Sequence, residues 1–180
     1  MVRLKSFLGI HRKPLQLVRF TDPFGNFLLD YPRPWRFDRD VVVESGSYAI
    51  AFESSDGKGR FNISVISSPP PGFDLHTHVK KVCEAPSSGI VTKMRITTFR
   101  GMVAYRRDCV FGSGGSASFA SELVFFTGYS VFTLLCSGPE KERANLEVIF
   151  NRMLKSLVFP LRLESTPSKK IDSKKARRSK

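Results

Sequence analysis

The stretch "YSVFTLLCSGPEKERANLEVIFNRMLKSLVF", residues 129–159, contains both kinds of element from which this chain is built. Its opening letters, "YSVFTLLCS", are rich in aromatic, aliphatic and β-branched residues and read as a strand. The period then changes. Leu146, Ile149, Phe150, Met153, Leu154 and Leu157 recur at helical spacing and form one apolar stripe. Ser137 and Glu140 stand at capping-box spacing, with Pro139 in the first turn, so the helix is expected to open there. Acidic residues lead this helix and basic ones end it, in the sense the helix dipole favours. Pro160 closes it.

Three further strand candidates precede this stretch: "IVTKMRITTF" (90–99), "MVAYRRDCVF" (102–111) and "SFASELVFFT" (118–127). Gly101, "GSGG" and Gly128 punctuate them at hairpin spacing, which predicts an antiparallel meander. Upstream, a helix is expected from Phe73 to about Cys83, with Asp74 near its start and Leu75, Val79 and Val82 as its apolar stripe. "EAPSSG" ends it, and "PPPG" at 69–72 separates it from earlier strands. Among those, "RFNISVISS" alternates Phe61, Ile63 and Val65 against Asn62, Ser64 and Ile66, the pattern of a half-buried strand. "YAIAFESS" and "VVVES" are strands on either side of Gly46, and "LQLVRF" with "FLLDY" forms a hairpin around "TDPFGN". Runs of strands with two segregated helices define an α+β chain. The expected fold is a mainly antiparallel sheet flanked by helices, an α/β/α-type sandwich with an N-terminal β-hairpin.

Between hairpin and sheet lies "LLDYPRPWRFDRD" (28–40), which holds the only tryptophan, Trp35. Tyr31 and Pro32 close a strand, and Pro34 stiffens the crossing by fixing its own φ and biasing its predecessor towards extended geometry. Trp35 is therefore expected to be a buried plug. The charged letters after it remain free to meet a partner, with Arg36 and Arg39 as candidate contacts. Asp38 and Asp40 alternate with those arginines as a solvated ion-pair patch.

The chain has 180 residues and sixteen Phe, enough to bury a substantial core; a domain of this size hides roughly 70% of its unfolded surface. Its formal charge of +13 is concentrated at the ends: residues 1–13 carry +4, residues 168–180 carry +6, and the 154 between them only +3. This divides the chain into a basic N-terminal segment (1–13), one α+β domain (14–160) and a basic, disordered tail (161–180) with too little apolar content to fold. Three cysteines, Cys83, Cys109 and Cys136, are widely spaced and read as reduced, buried thiols. No apolar run reaches membrane-spanning length, and the N-terminal letters do not form a secretory signal. A cytoplasmic location is expected, or a nuclear one in a eukaryotic host.

The constellations that could carry chemistry are weak. His76 and His78 point apart on a helix, and His76 with Cys83 supplies only two ligands. "FGSGGS" at 111–116 leads into a strand, so no helix N-terminus receives an anion. Glu140 and Glu142 sit at a helix start, and no nucleophile, base and orienting group assemble. The chain reads as a non-enzyme with no cofactor and no metal site. The tail offers Lys169, Lys170, Lys174, Lys175, Arg177 and Arg178, which would attract phosphate backbones or an anionic surface with steep salt dependence. No aromatic residue interleaves with them to stack on bases. Arg106 and Arg107 point to opposite faces if their segment is a strand.

Three motifs in order, "FTDPFGNFLLDYPRPW", "YSVFTLLCSGPEKE" and "IFNRMLKSLVF", resemble the PsbP/Mog-like superfold. That superfold includes the PsbP subunits of photosystem II, a Ran-binding import factor and the bacterial DcrB-like proteins. Tyr31, Pro32 and Trp35 match its first motif, Phe132, Pro139 and Glu140 its second, and Ser156 and Leu157 its last. The likeness spans about residues 16–159. It implies a scaffold for attachment to another protein, as an accessory subunit or adaptor rather than an enzyme. A photosynthetic member would need a targeting segment, which is not found here, and a Ran-binding one would present an acidic face. No partner, and no binding residue, transfers from the resemblance.

Overall fold

The computed structural model describes residues 15–38, 46–84, 90–91 and 94–160. The expected strand at 41–45, both basic ends, and Arg39 and Asp40 lie outside the described residues. The hairpin is as expected: strands β1 (Leu17–Thr21) and β2 (Leu28–Pro32) pair antiparallel as their own two-stranded sheet. The turn between them is built on Asp22, which is 2% exposed. Its Oδ2 accepts the Asn26 backbone N–H at 2.8 Å and the Tyr48 hydroxyl at 2.6 Å, while Asn26 Nδ2 donates to Tyr48 at 2.8 Å. An aspartate that replaces water with local donors in this way fixes a turn.

After the hairpin come β3 (Arg36–Asp38), β4 (Ser47–Glu53) and β5 (Arg60–Ser67). Helix α1 (Leu75–Glu84) follows, then β6 (Ile90–Val91), β7 (Arg95–Phe99), β8 (Met102–Phe111), β9 (Ser118–Phe126) and β10 (Ser130–Pro139). Helix α2 (Arg143–Ser156) ends the order. Strands β3 to β10 form one antiparallel sheet in the order β3-β4-β5-β10-β9-β8-β6, with β7 also on β8. The sequence segment 90–99 is therefore two strands on one partner rather than one.

Alternation along the strands separates two cores. Phe61, Ile63, Val65, Phe125, Phe132 and Leu134 face one side, where they join hairpin residues Phe20, Phe27 and Leu29 and the α2 stripe Leu146, Phe150, Met153 and Leu157. Phe125 and Phe132 stack at 5.3 Å on neighbouring strands. Each side chain buried here contributes on the order of 1.5–3 kcal/mol. The opposite side carries Tyr105, Val124 and Val131 under Val79 of α1, with Leu75 and Phe73 at the margin. Helices thus cover both faces, and the fold is an α+β sandwich.

Two expectations change. The capping box at Ser137 and Glu140 does not form, because β10 keeps pairing through Ser137↔Arg60 and Pro139↔Ser118. Glu140–Glu142 form a 3₁₀ turn, and α2 begins at Arg143 with no side-chain cap. Likewise Arg36–Asp38, not expected as an element, forms an edge strand paired with Ala51–Glu53 and keeps its three side chains exposed. At α1 the sequence reading stands: Asp74 Oδ2 accepts the Thr77 N–H at 2.8 Å and the carboxyl is held below its usual range by that turn.

Candidate binding surfaces

Strand β7 is exposed along most of its length, and the turn that joins it to β8 explains how the ribbon is held. Arg100 and Gly101 both have positive φ (51° and 80°), the geometry of a two-residue turn whose twist matches that of paired strands. A left-handed backbone at Arg100 costs about 1 kcal/mol. In exchange its Nη2 donates to the Lys155 carbonyl at 2.6 Å, one of the acceptors left open in the last turn of α2. The ribbon is thereby tied to the end of the helix.

Its two faces differ. On the α1 side Ile96 is 71% and Val103 60% exposed, and the pairs Ile96↔Tyr105 and Thr98↔Val103 set them on a diagonal. Strand β7 pairs with β8 alone among the described residues, and its outer edge has no strand partner among them.

On the α2 side the same ribbon roofs a cleft. Beside it, Asp108 gathers several donors: Oδ1 accepts Ser121 Oγ at 2.7 Å, and Oδ2 accepts Arg95 Nη2 at 2.9 Å. Arg106 Nη2 stands 3.5 Å and Arg143 Nη2 3.9 Å from Oδ1. Burial alone would raise the Asp108 pKa, but the Ser121 hydrogen bond and the charges of Arg106, Arg143 and Arg95 outweigh it and hold the carboxyl below its ordinary range. Arg143 also bridges to Glu147 at 2.9 Å and Glu140 at 3.4 Å. Cys136 lies at the floor beside Arg106, and burial pushes its thiol pKa up, keeping it neutral.

The motif residues read from the sequence meet around α2. Trp35 is 7% exposed and packs edge-on against Phe150 at 6.2 Å. Tyr31 packs on Phe52 at 5.0 Å, Pro32 is buried beside it, and Phe132 is in the core. Ser156 Oγ accepts the Asp30 N–H at 2.9 Å and donates to the Met153 carbonyl at 2.7 Å, joining helix to hairpin beside the fully buried Leu157. Pro139 ends β10, and the Glu140 N–H donates to the Ala117 carbonyl at 2.8 Å. These residues close the fold and line no shared binding surface.

Arg36 is exposed on β3, far in sequence from the ribbon, while Arg39 and the basic tail residues lie outside the described residues. Arg106 and Arg107 do point to opposite faces, Arg107 pairing with Glu122 on the α1 side. His76 Nδ1 lies 3.1 Å from the Tyr105 hydroxyl, and the side chain of Cys83 lies outside the described residues. Cys109 and Cys136 are both buried. No group of three His, Cys, Asp or Glu side chains that could hold a metal occurs among the described residues. Among them, too, no helix is long and apolar enough to cross a membrane. Sequence reading passed over Ile96, Val103 and the Asp108 cluster. The apolar letters of "MVAYRRDCVF" signalled a strand, but only the register of β7 on β8 places Val103 beside Ile96.

The architecture is an antiparallel sheet sandwiched between two helices, a fold that solved structures share. The solution structure of cyanobacterial PsbP (CyanoP) from Synechocystis sp. PCC 6803 aligns with TM-score 0.58 at 14% identity, over 88% of this chain and 99% of that one. LpqN of Mycobacterium tuberculosis, described as involved in cell envelope biogenesis, aligns with TM-score 0.54 at 13% identity, over 82% of this chain and 92% of its own. PA94 of Pseudomonas aeruginosa aligns with TM-score 0.52 at 12% identity, over 80% of this chain and 97% of its own. The chain has a PsbP-like fold. No protein-family model matches it, and no curated protein matches its sequence.

Proposed function

We propose that this chain is a non-catalytic binding module, an accessory subunit that attaches to another protein through the β7–β8 ribbon. The observation that carries this reading is the pair Ile96 and Val103, 71% and 60% exposed beside the outer edge of β7. Exposed β-branched side chains on a sheet edge are a liability in a lone monomer and an asset in a complex, where a partner strand satisfies the free backbone groups. The fold likeness supports the reading at the level of scaffold. Cytoplasm, or nucleus in a eukaryote, is the compartment this reading assigns.

The test is affinity capture with the full chain and with an Ile96→Asp/Val103→Asp variant. Both side chains are on the surface, so the variant keeps the native circular dichroism spectrum and unfolding midpoint. A stoichiometric protein captured by the wild type and lost by the variant supports the assignment. Capture by both alike, or by neither, contradicts it.

A second reading rests on the +6 carried by residues 168–180. Lys169, Lys170, Lys174, Lys175, Arg177 and Arg178 would hold phosphate backbones or an anionic surface. Such binding falls steeply with salt and disappears when residues 168–180 are removed, whereas docking at the ribbon survives that deletion. Nucleic acid failing to bind the full chain at low salt would end this reading.

A further inference from the structure

We propose that the cleft between α2 and strands β7, β8 and β9 binds a small organic carboxylate with an apolar tail, the carboxylate on Arg106 and the tail along Leu123 and Leu154. This site lies on the sheet face opposite Ile96 and Val103 and does not depend on the docking reading.

Two cavities of about 190 and 420 Å³ lie side by side here, and both are lined by Arg106, Leu123, Asn151 and Leu154. The larger alone falls within the roughly 300–1,000 Å³ of small-molecule sites. Such sites combine apolar walls with a few oriented polar groups. The apolar part is Leu123, Leu134, Phe150 and Leu154, with Phe99 at the mouth.

The polar part is centred on Arg106. Its Nε is buried and reaches no acceptor among the described residues. Its Nη2 has only the 3.5 Å approach to Asp108, a carboxylate already engaged at 2.7 Å by Ser121 and 2.9 Å by Arg95. A buried donor costs free energy unless something accepts from it. The rest of the side chain is 42% exposed, so the guanidinium can donate from its terminal amino groups to a carboxylate in the cleft.

The charges lining the cleft favour an anion. Arg100, Arg106 and Lys155 are cationic, and Glu147 is the one acid, itself held 2.9 Å from Arg143 Nε. Arg100 commits Nη2 to the Lys155 carbonyl, so no second fork stands ready for a doubly charged phosphate ester. One guanidinium fork at Arg106 matches one carboxylate. The Cys136 thiol on the floor is neutral and adds no repulsion.

Octanoate is the probe, titrated into the full chain and followed by calorimetry and by amide shifts in nuclear magnetic resonance. Saturable one-site binding is expected, with the shifts concentrated at Arg106, Leu123 and Leu154. Arg106→Gln should weaken it about tenfold or more. Asn151→Trp, which fills the cleft from an exposed position on α2, should do the same, and both variants should keep the native circular dichroism spectrum. Octanol, with the same tail and no charge, should bind about tenfold more weakly to the wild type, a comparison that needs no variant to fold. Equal affinity for octanol and octanoate, undiminished binding to Arg106→Gln, or no binding at millimolar octanoate overturns the proposal. Tighter binding of octyl phosphate overturns the choice of a carboxylate.

Discussion

Trp35 shows how one side chain fastens separate parts of the chain. Its ring meets Phe150 of α2, and it lies over Gly59, where an added Cβ would come within 3.4 Å of the indole and 2.5 Å of Leu146 Cδ2. Trp35→Ala therefore leaves a cavity under the helix and should cost about 3–5 kcal/mol in chemical denaturation, with Trp35→Phe costing less. As the only tryptophan, it should also emit at the short wavelengths of a buried indole; a fully water-exposed maximum would contradict its placement. Asp108 makes a prediction in pH. Its folded pKa is depressed, so its contribution is complete above the unfolded carboxylate value near ~3.9 and is lost as pH falls through the lower folded value. Asp108→Asn should lose about 1–3 kcal/mol at neutral pH. Unfolding curves of the two proteins should converge as pH falls through that lower folded value. A constant difference down to that pH would show that charge is not what Asp108 contributes. The sequence foretold Trp35 because its bracketing prolines act locally. It did not foretell Asp108, whose partners Arg95, Ser121 and Arg143 come from two other strands and a helix.

At the scale of elements, the junction between β10 and α2 separates local propensity from tertiary pairing. Ser137, Pro139 and Glu140 are good helix-start letters, yet Ser137 is flanked by Arg60 and Ala120 on both neighbouring strands, and ladder hydrogen bonds outweigh a single cap. Ser137→Ala should therefore change stability by less than about 0.5 kcal/mol, where a working N-cap would cost about 1 kcal/mol. One residue on, the outcome reverses. A Cβ at Gly138 would stand 2.8 Å from the Lys58 carbonyl oxygen and 2.4 Å from Leu146 Cδ1. Gly138→Ala should cost about 1–3 kcal/mol, since backbone lines one side of the site. Thermal unfolding of the two variants side by side checks both values. The rest of α2 was legible because its stripe depends only on helical period. The split of residues 90–99 into β6 and β7 was not, because both segments have strand composition and only their shared partner β8 separates them.

The whole molecule places its two surfaces on opposite sides of one ribbon. Arg100 pins that ribbon to α2, leaving Ile96 and Val103 outside and the Arg106 cleft inside. Order of elements and alternation sufficed to read the sandwich from the sequence, since a strand such as β5 announces its buried face by period two. The exposure of Ile96 and Val103 carries no such signature, because exposed and buried valines have the same letter. The central claim is that this chain meets a protein partner at the ribbon, and site-directed photo-crosslinking tests it most directly. A photoreactive side chain at Ile96 should join the chain to one partner protein. The same group at Val148, 57% exposed on α2, should not. Equal crosslinking from both positions, or none from Ile96, would contradict the account.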